Sequence, residues 1–400
     1  MRNKRMAEAT KDSLETYLQI ENLEKNLSGL SQIFDDNSNE EINIDETKTH
    51  KESVNMNMDP FTLHLNDHMN FSLIQSHSAF GEGTGNDETG NVLWGASVHL
   101  SKWLTEISLT ASSTLDRQRI RSDSRVKKKG IIQSLSNLNS NLNCISIQNK
   151  SILELGCGTA LNSLVASRLD AGFIMATDYE DDILAHAKHH VDLNNKQESD
   201  ELNMNICVQK LDWYDIMERS CEIKEENNRN TSNYSLHETF SSWFDANANS
   251  IQIPYNSDYW KSHLLEYNGF QIIMASDVIY GTHMVLPLVT TIDAFLMKNK
   301  LISNNSDCLN DDDEHGIVII ATRDGRRGIE EFRQAMKQKG NFKEIYVHHI
   351  PGKSHKNDNE NNAITRNKVM ENSNVPECFK GEANIGRWKA NHTIYVYQRL

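Results

Sequence analysis

The sequence predicts an α/β protein: a mostly parallel sheet with helices on both faces. Three observations predict it. Short, almost wholly apolar runs recur at 151–155, 173–177, 205–209, 270–275 and 317–321, as expected of strands covered on both sides. Segments of helical periodicity follow most of them. Two further strand-like runs, 343–350 and 393–398, have no strongly periodic helix between them. They are expected to pair as an antiparallel hairpin at the sheet edge.

The other elements follow in chain order. Leu14, Leu18, Leu23, Leu27 and Leu30 have a loose helical spacing, so residues 13–34 predict a short amphipathic helix. Residues 35–58 are rich in Asn, Asp and Glu and predict disorder. Order is expected to resume near Phe61, with a strand at 71–75, a glycine-rich break at 81–85 and an amphipathic helix at 92–104. Further helices are expected at 161–168, 181–193, 285–297 and 328–339. Residues 1–60 thus form an N-terminal helix and polar segment. Residues 61–400 form the α/β domain, with polar insertions at 112–143, 219–258, 299–316 and 352–384.

Composition narrows the partners. The chain has 56 acidic against 41 basic residues, a net charge of −15. An acidic chain is poorly suited to general nucleic-acid binding, which needs clustered Lys and Arg. One basic cluster exists, Arg117, Arg119, Arg121, Arg125, Lys127, Lys128 and Lys129, with no interleaved aromatic residue. It fits either a solvated insertion or an RNA contact or nuclear address. The six cysteines form no CxxC pair, so neither a disulfide framework nor a metal site is expected. No signal peptide or apolar span of membrane length is visible. A monomer in a reducing compartment, cytoplasmic or also nuclear, is expected.

The loop after the first strand of the regular repeat is Gly156-Cys157-Gly158-Thr159-Ala160. In open α/β sheets ligands bind outside the carboxyl ends of the strands. Glycines permit a sharp turn and close ligand approach, and the next helix begins with unpaired N–H groups. A dinucleotide loop would need a third glycine at 161, where Leu161 stands. Glu154 precedes the loop, unhelpful beside a pyrophosphate but favourable near the ammonium and sulfonium of S-adenosylmethionine. Asp178 ends the second strand, about 20 residues beyond the loop, where a ribose-binding acid belongs. After the third strand, Trp213 could stack on adenine and Asp212 could accept from its amine; the alternative is an ordinary half-buried Trp. S-adenosylmethionine is the cofactor these residues predict.

The fourth strand ends at Ser276-Asp277-Val278-Ile279-Tyr280. Asp277 and Tyr280 would lie beside the transferable methyl. Asp277 could orient an acceptor amine and Tyr280 supply a hydrogen bond and an aromatic wall. Alternatively, Asp277 caps the next turn and Tyr280 packs against it.

Five motifs in order, Val92-Leu93-Trp94-Gly95-Ala96-Ser97, Glu154-Leu155-Gly156-Cys157-Gly158-Thr159-Ala160, Thr177-Asp178-Tyr179, Leu211-Asp212-Trp213 and Ser276-Asp277-Val278-Ile279-Tyr280, resemble lysine methyltransferase family 16. The resemblance implies a Rossmann-like, seven-stranded class I methyltransferase sheet. It implies that Trp94 lies in the cofactor pocket, that Gly156, Cys157 and Gly158 hold the methionine part above Glu154, and that Asp178 binds ribose and Trp213 adenine. Ser276 falls where the family places a small cofactor-contacting residue. Asp277 and Tyr280 form its D-x-x-Y acceptor signature, and the implied substrate is a protein lysine. Ala160 stands where the family often has a third glycine, and the insertions are longer than usual. Histidine, RNA or small-molecule acceptors on the same fold, or a non-catalytic binding module, are the competing readings.

Overall fold

The computed structural model describes residues 60–66, 69–74, 92–121, 145–195, 205–230, 237–247, 251, 257–298, 315–339, 341–352 and 390–400. The expected N-terminal helix, the disordered stretch, the break at 81–85, residues 125–129 of the basic cluster, the insertion at 299–314 and residues 353–384 lie outside them.

A two-stranded antiparallel hairpin comes first, β1 (Phe61–Asn66) and β2 (Met69–Leu73), then helix α1 (Gly95–Arg121). The regular repeat follows: β3 (Ser151–Leu155), α2 (Leu161–Arg168), β4 (Phe173–Asp178), α3 (Asp181–Asn195) and β5 (Ile206–Lys210). Three helices come next, α4 (Trp213–Asn230), α5 (His237–Asn247) and α6 (Ser257–Glu266). The remainder is β6 (Ile272–Ser276), α7 (Val285–Phe295), β7 (Ile317–Arg323), α8 (Ile329–Gln338), β8 (Phe342–Ile350) and β9 (His392–Arg399).

The seven strands from β3 onward form one sheet in the order β5-β4-β3-β6-β7-β9-β8. Neighbours among β5, β4, β3, β6 and β7 pair in parallel. β9 runs antiparallel to both β7 and β8, so the expected C-terminal hairpin is present, with its second strand inserted between the first and the parallel sheet. The order turns around between β3 and β6, which begins the crevice where open sheets bind ligands.

The two-residue alternation of strands builds two cores. Ile152, Ile174, Ile272, Ile319 and Val396 face one side, with residues of α1, α2, α3 and the hairpin. Leu153, Met175, Ile273, Ile320 and Tyr395 face the other, with residues of α5, α6, α7 and α8. Both faces are covered, so the strands read as continuous apolar runs.

Two expectations change. The supposed insertion at 219–258 contains the end of α4, all of α5 and the start of α6. Phe240, Trp243 and Phe244 of α5 are buried at helical spacing against the sheet. The insertion expected from 112 begins later, because α1 continues through Arg121. Among the described residues no helix is long and apolar enough to cross a membrane.

Candidate active site

The β3–α2 loop is a tight coil of left-handed residues. Gly156 (φ 62°), Gly158 (φ 50°) and Ala160 (φ 56°) all have positive φ. A Cβ on Gly156 would lie 2.7 Å from Val278 Cγ1 and 3.7 Å from Trp213 Cζ2. The loop, the end of β6 and Trp213 therefore pack too closely for any other residue there. Ala160 occupies the left-handed position before α2 at the cost of its Cβ.

Glu154 lies beneath the loop, fully buried. One carboxylate oxygen accepts from Asn162 Nδ2 at 2.9 Å. The other accepts the backbone N–H of Ser163 at 3.0 Å and the Ser163 hydroxyl. Glu154 thus satisfies one early backbone N–H donor of α2, that of Ser163, and favours the dipole at that end. Burial raises its pKa to about 7 against these hydrogen bonds. Asn162 also donates to Ser276 Oγ at 3.0 Å and accepts from the Ser101 hydroxyl at 3.0 Å. A single buried network therefore joins β3, α2, β6 and α1.

Asp178 ends β4 with its carboxylate on the loop. Gly158 donates its N–H to Oδ2 at 3.2 Å and Tyr179 donates to Oδ1 at 2.9 Å. Burial shifts the Asp178 pKa upward, and these hydrogen bonds oppose the shift. Asp212 caps α4 by accepting the Tyr214 N–H at 2.8 Å. The Cys157 thiol is pushed up by burial first and then by Asp178 and Glu154, so it stays neutral.

These elements enclose a cavity of about 520 Å³, within the usual range for small-molecule sites. Of the residues singled out in the sequence, Trp94, Gly156, Cys157, Gly158, Asp178, Asp212, Trp213, Ser276 and Tyr280 line it. Glu154 supports it from below. Asp277 is not on its wall: its side chain is 2% exposed and turned to Arg326, whose Nε donates to Oδ1 at 3.2 Å and whose Nη2 donates to Oδ2 at 3.0 Å. A backbone φ of 55° at Asp277 sets that direction. Asp277 Oδ1 also accepts the Arg323 N–H at 3.4 Å, so its carboxylate is bound to the end of β7 and the loop after it, which neither expected geometry included.

Other residues also line the wall. Ser97 and Tyr179 belong to the sequence motifs themselves, with no role assigned to them; Glu180 and Tyr214 stand one position beyond a motif, so extending it would have found them. His283 and Met284 follow Tyr280 on a 3₁₀ turn. Arg326, behind Tyr280 and Trp94, follows β7, and only the strand-end rule points there.

The wall suits S-adenosylmethionine. Asp178 offers acceptor capacity for ribose hydroxyls, and Trp213, Tyr179 and Tyr214 offer aromatic faces for adenine. The glycine loop and its helix offer backbone donors for a carboxylate. Ser276 and Tyr280, from the end of β6 and the residues after it, line the same cavity.

The sequence model of the family described as lysine methyltransferase matches residues 75–227. No curated protein matches the chain. Among solved structures, the chain is similar to a provisionally assigned S-adenosylmethionine-dependent methyltransferase from Streptococcus mutans: 12% identity, 67% of this chain, 49% of that one, TM-score 0.30. It is similar also to an O-methyltransferase from Bacillus cereus solved with S-adenosylhomocysteine (10%, 70% and 96%, TM-score 0.31). A third is a ribosomal protein L11 methylase from Lactobacillus delbrueckii subsp. bulgaricus (16%, 55% and 74%, TM-score 0.27). The chain spans about half the length of the Streptococcus mutans structure, and likenesses at these scores carry no argument about the acceptor. The strand order, the cofactor wall and the family match agree: the chain has the seven-stranded class I fold of S-adenosylmethionine-dependent methyltransferases and, over residues 75–227, the sequence pattern of the lysine methyltransferase family.

Proposed function

We propose that the protein is an S-adenosylmethionine-dependent methyltransferase acting on a lysine side chain of a protein substrate. The observation that carries this is the position of Tyr280. It ends the D-x-x-Y segment, is 43% exposed, and stands on the wall of the same cavity as the glycine loop and Asp178. When bound, the cofactor supplies an electrophilic methyl on a sulfonium. The chain's own task is then to align the acceptor and exclude water.

A lysine amine has an ordinary pKa near 10.4, so shedding its proton at neutral pH costs about 4–5 kcal/mol. Tyr280 presents a hydroxyl and an aromatic face where such an amine would arrive. Trp94 supplies a second aromatic wall. Asp277, engaged with Arg326, serves this reading as the anchor of that wall.

Incubation with cofactor carrying a labelled methyl group and a cell lysate, followed by mass-spectrometric mapping, tests the proposal. Label on a protein lysine supports it. Label on histidine, RNA or a small molecule overturns the acceptor. Absence of S-adenosylmethionine binding by calorimetry overturns the enzyme reading altogether.

A further inference from the structure

Arg326 is engaged by three residues beside the cavity, Asp277, Trp94 and Tyr280. Its guanidinium grips both oxygens of the Asp277 carboxylate, a fork that a lysine ammonium cannot reproduce. It also lies 5.5 Å from the ring centroid of Trp94 and 5.5 Å from that of Tyr280, within the reach of cation–π attraction. Two walls from distant parts of the chain, one leading into α1 and one following β6, therefore rest on the same cation. The partners are buried enough for these contacts to matter: Asp277 is 2% exposed and the Arg326 side chain 24%.

The loop that carries Arg326 is itself fixed. Gly328 has a φ of 94°, and a Cβ there would come within 2.8 Å of the Gly281 carbonyl oxygen. The β7–α8 loop is thus packed on the residue directly after Tyr280. The Asp277 N–H donates to the Ala321 carbonyl of β7 at 2.8 Å. The ends of β6 and β7 are joined by backbone as well as by the ion pair.

We propose that Arg326 is a positioning residue for methyl transfer. By clamping Asp277 and resting against Trp94 and Tyr280, it holds the two aromatic walls of the acceptor entrance at a fixed separation. The inference rests on the methyltransferase reading above. Arg326 touches neither the glycine loop nor Asp178 among the described contacts; it rests on Trp94 and Tyr280, and its proposed effect lies at the acceptor end of the wall those two share. Misplacement of an aligned group by about 1 Å can cost on the order of 100-fold in rate.

The test uses the full chain, with Arg326→Lys and Arg326→Gln as variants. Both are expected to keep S-adenosylhomocysteine affinity within about threefold and to lower kcat about 100-fold on the acceptor that the lysate experiment identifies. Asp277→Asn added to Arg326→Gln is expected to cost less than about a further threefold, because the pair acts as a unit. One readout needs no turnover. The Trp94 contribution to fluorescence, taken as wild type minus Trp94→Phe, should change when the same difference is measured in the Arg326→Gln background. If Arg326→Gln does not fold, Arg326→Lys carries both measurements. The proposal is overturned if kcat stays within threefold of wild type, if cofactor affinity falls as far as kcat, or if the Trp94 emission difference is the same in both backgrounds. Should the wild type methylate nothing, the methyltransferase reading fails on its own, and the emission comparison still decides whether Arg326 holds the wall.

Discussion

Asp178 accepts the backbone N–H of Gly158 at 3.2 Å, so the acid that ends β4 and the glycine loop that follows β3 are one unit. Asp178→Ala removes acceptor capacity for a ribose and also frees the loop. Each hydrogen bond to a charged group contributes about 1.5–3 kcal/mol, so affinity for S-adenosylmethionine should fall about 10- to 100-fold or more. Calorimetric titration checks this. Unchanged affinity would remove Asp178 from the site.

Gly156→Ala should destabilise the fold sharply. The left-handed backbone costs a Cβ-bearing residue about 1–2 kcal/mol, and the new methyl meets Val278 Cγ1 at 2.7 Å, adding an overpacking cost of about 1–3 kcal/mol. Chemical denaturation should show a loss of roughly 2–5 kcal/mol. Val278→Ala in the same chain should recover the overpacking part only.

Glu154 gives stability a particular pH dependence. Its carboxyl is raised by burial from an ordinary value of 4.5 to about 7 in the folded state. The folded protein therefore holds the proton more tightly than the unfolded one. The associated stability is complete below about 4.5 and is lost as pH rises toward 7. Over that window the loss is about 3 kcal/mol at about 1.4 kcal/mol per unit. The unfolding free energy of Glu154→Gln minus that of wild type should thus grow by about 3 kcal/mol between pH 4.5 and 7. A difference flat across this range would mean that the carboxyl ionises as it would in water.

Helix α3 holds the N-terminal hairpin by copying a strand edge. Asn194 Oδ1 accepts the Ser72 N–H at 2.9 Å, and Nδ2 donates to the Ser72 carbonyl at 2.8 Å. One turn earlier, His190 Nε2 accepts the Ile74 N–H at 2.9 Å, while Nδ1 lies 2.9 Å from the Thr159 carbonyl. Burial lowers the His190 pKa to about 3, which keeps it neutral and able to accept. Asn194→Ala removes both of these hydrogen bonds to Ser72, a cost of about 1–3 kcal/mol each. Hydrogen exchange should show the amide of Ser72 losing protection while those of β3 and β4 keep theirs.

Much of this architecture can be read from the residues. The parallel strands are legible because both faces are covered, which forces apolar runs such as Ile317–Ile320. The glycine loop and Asp178 are legible because strand ends define the crevice. Helix α5 carried its signal at Phe240, Trp243 and Phe244, but polar Asn-rich flanks diluted it within any longer window. The direction of the Asp277 side chain was not legible, since it depends on a positive φ and on Arg326, 49 residues away. Nor was the order of the last two strands, because an antiparallel hairpin satisfies the same alternation whichever strand lies inside.

That order has a consequence for how the molecule is made. β9 is synthesised after β8, yet it lies between β8 and β7. Throughout translation of residues 324–391 the outer edge of β7 has no partner strand, and β8 cannot join the sheet. An open apolar edge is a template for the wrong pairing. Ribosomes stalled within that stretch should therefore hold a nascent chain dependent on chaperone cover, which the emergence of His392–Arg399 relieves in one step.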